Sequence, residues 1–278
     1  MANKIFSIYK SGKERSTKNN DRITVEIGSA HVACIVVGGS SNQIEDFEFF
    51  ELNSSALKNF EESFAYVVIG SRLLDKPYAD KKVYFNSDES VLVPSHLFVT
   101  ENSSDYLDVV FGTNNKTEVF KDDLNNQFQI VNTYRIPKQI REVIEKNLAV
   151  VTVEHTYSSI LRSMFWVLSS LPPQLIKVQF YKSHLIVAVL VEHRLQYIQS
   201  LSFIAPEDVV YNLLNICRQF NLKGALLQVS GLIDYKSAMY QSLSNYFKNI
   251  STEDLLVPDL DTSDYPPHFF TPFFKLLQ

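Results

Sequence analysis

Six histidines come first in any search for chemistry: His31, His96, His155, His184, His193 and His268. None pairs with another at the helical spacing of a metal site. Glu154-His155-Thr156 closes an apolar segment, at the kind of strand end where ligand clefts open in α/β folds, and makes a hydrolytic cleft at His155 one candidate. Thr156 there reads as the N-cap of the next helix. No serine stands in a nucleophile elbow, since Val229-Ser230-Gly231 is not Gly-x-Ser-x-Gly. Gly38-Gly39-Ser40-Ser41-Asn42 reads as a hairpin turn, not as a phosphate loop. Cys34 and Cys217 lie in apolar stretches without redox or metal spacing, which predicts two buried free thiols. Glu45, Asp46, Glu48 and Glu51 read as the solvent-facing side of a strand.

These residues sit on a repeated frame. Residues 23–37 (Ile-Thr-Val-Glu-Ile-Gly-Ser-Ala-His-Val-Ala-Cys-Ile-Val-Val) match residues 176–190 (Ile-Lys-Val-Gln-Phe-Tyr-Lys-Ser-His-Leu-Ile-Val-Ala-Val-Leu) at an ungapped offset of 153. Ile23 falls on Ile176, Val25 on Val178 and His31 on His184. Both histidines then read as turn residues bonded to backbone. Alternation before the turn and an apolar run after it predict two strands each time. Continuing the offset pairs Gln43 with Gln196 and Phe50 with Phe203, so each half opens with a three-stranded meander.

Helices follow. Pro206-Glu207-Asp208 starts one whose apolar face carries Val209, Val210, Leu213, Leu214, Cys217 and Phe220. A strand at 225–229 comes next, then a helix capped by Asp234 with Met239, Leu243, Tyr246 and Phe247 on one stripe. In the first half the expected elements are a helix at 54–62 and a hairpin-rich insertion at about 70–135, which takes in 83–85, 90–93 and 119–135. A helix at 137–146, a buried strand at 148–153 and a helix with the stripe Tyr157, Ile160, Leu161, Met164, Phe165 and Leu168 complete it. Pro172-Pro173 marks the boundary, giving halves at 1–171 and 172–278.

The chain has 278 residues, enough for two domains of about 100–150 residues each. A formal net charge of −5 argues against broad nucleic-acid binding, which needs a basic face. The longest strongly apolar run, Leu185 to Val191, is far short of the roughly 20 residues that span a bilayer. The first residues lack the apolar core of a signal peptide, so a cytoplasmic protein is expected.

Three meander strands followed by helix, strand and helix, present twice, is the layout of the actin-like ATPase fold. Each half resembles a ribonuclease-H-like domain. The expected fold class is therefore α/β, with mixed sheets flanked by helices. Leu92-Val93-Pro94-Ser95-His96-Leu97-Phe98 and Pro267-His268-Phe269-Phe270 resemble segments of a Bacteroidetes family of unknown function with this fold, over residues 10–278.

The resemblance implies ATP with Mg²⁺ between the halves. It puts an Asp-x-Gly turn after the first strand of each half, the acid serving metal and water and the glycine admitting phosphate. Here the first turn is Glu26-Ile27-Gly28-Ser29 and the second Gln179-Phe180-Tyr181-Lys182. The adenosine turn, with paired glycines in the family, is Val229-Ser230-Gly231 here. Glutamine cannot supply the charge and tyrosine crowds the phosphate, so no ATP hydrolysis is expected. The cleft candidates are Glu26, Gly28, Ser29, Glu154, His155, Gln179, Tyr181, Lys182, Ser230 and Gly231, with no metal ligands. The expected role is a non-catalytic interaction or assembly module with a protein partner, and a nucleotide-binding switch or weak ATPase is the alternative. The tail carries Pro258, Pro266, Pro267 and Pro272 with Phe269, Phe270, Phe273 and Phe274, and should be ordered by packing, either on the first half or on a partner.

Overall fold

The computed structural model describes residues 2–10, 20–53, 59–124, 128–149, 151–255, 260, 262 and 264–277. Two compact units emerge, one of Met1–Arg162 with Val257–Asp261 and Leu276–Gln278, the other of Ser163–Leu256 with Thr262–Lys275.

The first unit runs β1 (Ala2–Tyr9), β2 (Arg22–Gly28), β3 (His31–Val37), β4 (Ile44–Leu52), α1 (Phe60–Gly70), β5 (Asp80–Asn86), β6 (Ser90–Pro94), α2 (Ser103–Phe111), β7 (Thr117–Leu124), β8 (Ile130–Pro137), α3 (Lys138–Leu148), β9 (Thr152–His155) and α4 (Thr156–Trp166), the last crossing the division. Its main sheet has the order β1-β4-β3-β2-β5-β9, and a smaller one the order β6-β8-β7. Strands β2, β3 and β4 form the expected antiparallel meander, while β5 pairs parallel with β2 and β9 parallel with β5. Ile23, Val25 and Ile27 alternate onto one face and pack with Phe60, Phe64 and Val67 of α1 and Ile140, Val143 and Ile144 of α3. Each such side chain contributes about 1.5–3 kcal/mol on burial.

Several expectations need correction here. Residues 83–85 belong to β5, a central parallel strand, and not to a hairpin insertion. The helix expected at 54–62 is α1, which begins at Phe60 and continues to Gly70; residues 54–58 lie outside the described set. Leu148 ends α3, where Ala149 turns the chain with φ 59°, so β9 starts later than expected and is only partly buried. The acidic residues of β4 are not wet, because β1, unforeseen from the sequence, covers the outer edge of β4. Glu48 is fully buried there, bonded by Lys4 Nζ (2.7 Å), Tyr9 Oη, Ser71 Oγ (2.5 Å) and the Arg72 backbone N–H (3.0 Å).

The second unit runs β10 (Gln174–Phe180), β11 (His184–Val191), β12 (Arg194–Ser202), α5 (Pro206–Gln219), β13 (Leu226–Gly231), α6 (Ala238–Tyr246), β14 (Ile250–Thr252) and a helical turn α7 (Thr271–Phe274). The sheet order is β12-β11-β10-β13-β14, with β10–β12 as the second meander and β13 and β14 parallel to β10. The repeat holds residue for residue in the first two strands, where Ile23 pairs with Val36 and Ile176 with Val189. It slips by two in the third, because the first copy's turn is longer: Val37 pairs with Ile44, but Leu190 with Leu195. The shorter turn is the pair Glu192-His193, both at positive φ (51° and 59°), as a tight hairpin requires. The longer one is closed by Asn42 N–H on Gly38 O at 2.8 Å.

On α5, Val209, Val210, Leu213 and Ile216 face the sheet, whereas Leu214, expected there, points to solvent. Ser237, not Asp234, caps α6, accepting from Tyr240 N–H at 3.1 Å; Tyr246 on α6 is exposed.

The tail packs on its own chain. The turn at Pro267–Phe269 and α7 lie against β13. His268 bonds Ile233 O at 2.6 Å, Thr271 Oγ1 donates to Glu253 O at 2.6 Å, and Phe270 and Phe273 are buried.

Two outcomes are expected. Glu48→Ala leaves Lys4, Tyr9 and Ser71 without their acceptor and should lower unfolding free energy by about 3 kcal/mol in urea titration. Deleting residues 264–278 removes several buried aromatic rings and should lower the melting temperature by roughly 10 °C while raising binding of an apolar dye.

Candidate functional site

In the first unit the sequence candidates converge at the carboxyl ends of β2, β5 and β9. Glu26 is fully buried on β2. Its Oε2 lies 3.0 Å from His31 Nε2, and its Oε1 accepts from Thr156 Oγ1 (2.9 Å) and Asn86 Nδ2 (3.3 Å). The carboxylate is thus committed to three side chains of its own unit. His31 is bonded to this acid. Its ring lies so close to Gly28 that a Cβ there would collide with it, so the glycine admits the imidazole. Ser29 is exposed at the tip of the turn.

His155 is buried beside this cluster. Its Nδ1 accepts from the Tyr157 backbone N–H at 3.1 Å, which makes His155, not Thr156, the side chain that caps α4. The neutral ring therefore carries its proton on Nε2, 3.3 Å from Ser87 Oγ. Burial pushes the imidazole down to about 3. A ring in that tautomer cannot take the serine's proton, and the nearby acid does not orient it. Asp122 instead accepts from the His155 backbone N–H (2.8 Å), Ser158 Oγ (2.6 Å) and Tyr134 Oη (3.0 Å). A hydrolytic His155 site is not formed. Burial raises the Asp122 carboxyl despite these donors. Glu154 is ion-paired to Arg162 and to Lys82 (3.0 Å); against the opposing effect of burial, these cations hold its carboxyl below the ordinary range.

In the second unit β10 and β13 bring Gln179 opposite Ser230 and Phe180 opposite Gly231. Gly231 has φ 83°, and a Cβ there would strike the Phe180 carbonyl, so no other residue fits without strain. Tyr181 occupies the position equivalent to Gly28. It is buried and stacks on His184 with ring centroids 4.6 Å apart and planes at 5°, and Phe273 of the tail meets its edge at 6.0 Å. Lys182 is exposed. The Gln179 amide and the Ser230 hydroxyl are buried with no hydrogen-bond partner among the described residues.

Asn86, Asp122 and Ser158 escaped the sequence reading. For Asn86 the one available signal was a polar residue at the end of a strand, which many surface loops share.

A family described as a protein of unknown function, DUF3822, matches residues 10–250. The chain belongs to the DUF3822 family. Among solved structures, this DUF3822 member is similar to a Bacteroides thetaiotaomicron protein with an actin-like ATPase fold and unknown function. The TM-score is 0.79 at 12% identity, covering 93% of this chain and 96% of that one. A chain of the PilM–PilN type IV pilus biogenesis complex follows with a TM-score of 0.55 at 9% identity, covering 94% and 98%. The ethanolamine utilization protein EutJ of Carboxydothermus hydrogenoformans has a TM-score of 0.48 at 9% identity, covering 94% and 90%. No curated protein matches. The DUF3822 chain has the actin-like ATPase fold, as its repeated layout implied. Among the described residues, no cluster of three His, Cys, Asp or Glu could hold a metal, and no helix is long and apolar enough to cross a membrane.

The buried imidazole has a measurable consequence. With the folded value near 3 and the unfolded value near 6.5, the unfolded chain binds the extra proton between them. His155 therefore costs no stability above about pH 6.5 and lowers it progressively as pH falls toward 3. Urea titrations at pH 7 and pH 5 should show wild type losing about 2 kcal/mol more than His155→Asn, which keeps a capping side chain.

Proposed function

We propose that this chain is a non-catalytic member of the actin-like fold that serves as a protein-interaction or assembly module. One observation carries the proposal: in each unit, the turn that would face phosphate is filled by a ring of that same unit. His31 lies against Gly28 and engages Glu26, and Tyr181 replaces the second glycine and stacks on His184. Phosphate and Mg²⁺ need open backbone N–H groups and an uncommitted carboxylate. Glu26 has spent its oxygens on His31, Asn86 and Thr156, and Gln179 brings no charge. These residues do not fit ATP–Mg²⁺. The likeness to a chain of the PilM–PilN biogenesis complex agrees with an assembly role.

A nucleotide-binding switch is the second candidate. What favours it is the pair Gln179 and Ser230, whose buried polar atoms lack partners among the described residues and would gain from a polar ligand.

Millimolar ATP with Mg²⁺ should leave the melting temperature unchanged and release no phosphate. A ligand at 100 times its Kd would add about 2.7 kcal/mol, which a thermal scan resolves. A shift without turnover would favour the switch. Multiple-turnover phosphate release that vanishes in Glu26→Ala would overturn the proposal.

A further inference from the structure

The outer face of α5 has no partner among the described residues, and its pattern specifies one. The inner face is spent on the sheet through Val209, Val210, Leu213 and Ile216. Glu207, Tyr211, Leu214 and Arg218 fall on the opposite face at helical spacing and are all exposed. Tyr211 is 67% and Leu214 40% exposed, and Ile204, two residues before the helix, is 98% exposed. Tyr211 and Leu214 stand side by side on this face with a charge of opposite sign at either end.

We propose that this stripe is the interface of a symmetric dimer, with α5 of a second copy as its occupant. Residues equidistant from the midpoint between Asn212 and Leu213 face each other when two copies of α5 pack antiparallel about a two-fold axis. Glu207 then meets Arg218 of the second copy, at both ends of the contact. Tyr211 meets Leu214, twice, at the centre. The stripe is therefore complementary to itself in charge and in shape, with an apolar middle and an ionic rim. A crossing of about 20° at an axial separation of about 8–10 Å keeps all four residues within reach. The interface is small and belongs to the weak class below about 1,200 Å². The inference goes beyond the reading of the nucleotide turns, since no residue of those turns takes part.

The test is sedimentation equilibrium of the full chain at low salt, up to about 500 μM, which reaches weak association. Wild type should form a concentration-dependent dimer that Tyr211→Ser with Leu214→Ser abolishes. Glu207→Arg alone and Arg218→Glu alone should each be monomeric, since like charges then face each other at both rims. An equimolar mixture of those two variants should dimerise again, as should the double variant E207R/R218E. Unchanged thermal melting of each variant confirms that it is folded, as expected for exposed positions. A wild type that stays monomeric, single reversals that dimerise as wild type does, or a mixture that stays monomeric would each overturn the proposal.

Discussion

A carboxylate sealed from water has to be surrounded by donors, and Glu26 sets that requirement at the centre of the first unit. It lies on β2, and its donors come from β3, β5 and the first turn of α4. An unpaired buried charge costs several kcal/mol, so these elements meet in one arrangement or not at all. The carboxylate is a clamp of the first unit. Asp122 does the same one step away, tying β7, β8 and the start of α4 through Tyr134, Ser158 and the His155 backbone. Glu48 repeats the device at the sheet edge, where it anchors β1. The unit is held by apolar packing on its sheet and by three buried acids, each with several donors.

How far the sequence exposed this follows from where each signal resides. The meanders were legible because strand burial is written locally: alternation in β2 and β10, apolar runs in β3 and β11. The slip in the third strand was not, since a turn of Gly38–Gln43 and one of Glu192-His193 both allow a hairpin and nothing local fixes register across them. The wet face assigned to β4 failed for a different reason. Glu45, Asp46 and Glu48 look solvent-facing until a strand from the first ten residues covers their edge, a pairing 39 to 44 residues distant in sequence for Glu48. Residues 83–85 read locally as part of a hairpin because parallel pairing with β2 leaves no mark in neighbouring sequence.

The candidate site was legible in its skeleton and opaque in its partners. Glu26, Gly28, Gln179, Tyr181, Ser230 and Gly231 fall at strand ends as their flanking patterns implied. That His31 would reach back to Glu26 is a five-residue contact across a turn, and it could have been suspected from an acid and a histidine flanking one tight turn. That Thr156 would serve Glu26 and not cap its own helix could not, because the acid lies 130 residues away in sequence.

Comparison of the two units shows why one scaffold reached two solutions. The acid position of the turn is Glu26 in one copy and Gln179 in the other. A buried acid demands donors and so recruits Asn86, Thr156 and His31. A buried glutamine carries no net charge, and the second unit puts its ionic cluster elsewhere, on Lys177, Glu253 and Lys275. Burial pushes Lys177 down to about 7 against the pull of Glu253. That cluster holds the tail: Lys275 pairs with Glu253, and Thr271 bonds the Glu253 carbonyl. The tail in turn places Phe273 against Tyr181, the ring that fills the second turn. With glycine at position 181, Phe273 would face a void beside His184. The tyrosine and the aromatic tail therefore form one packing unit.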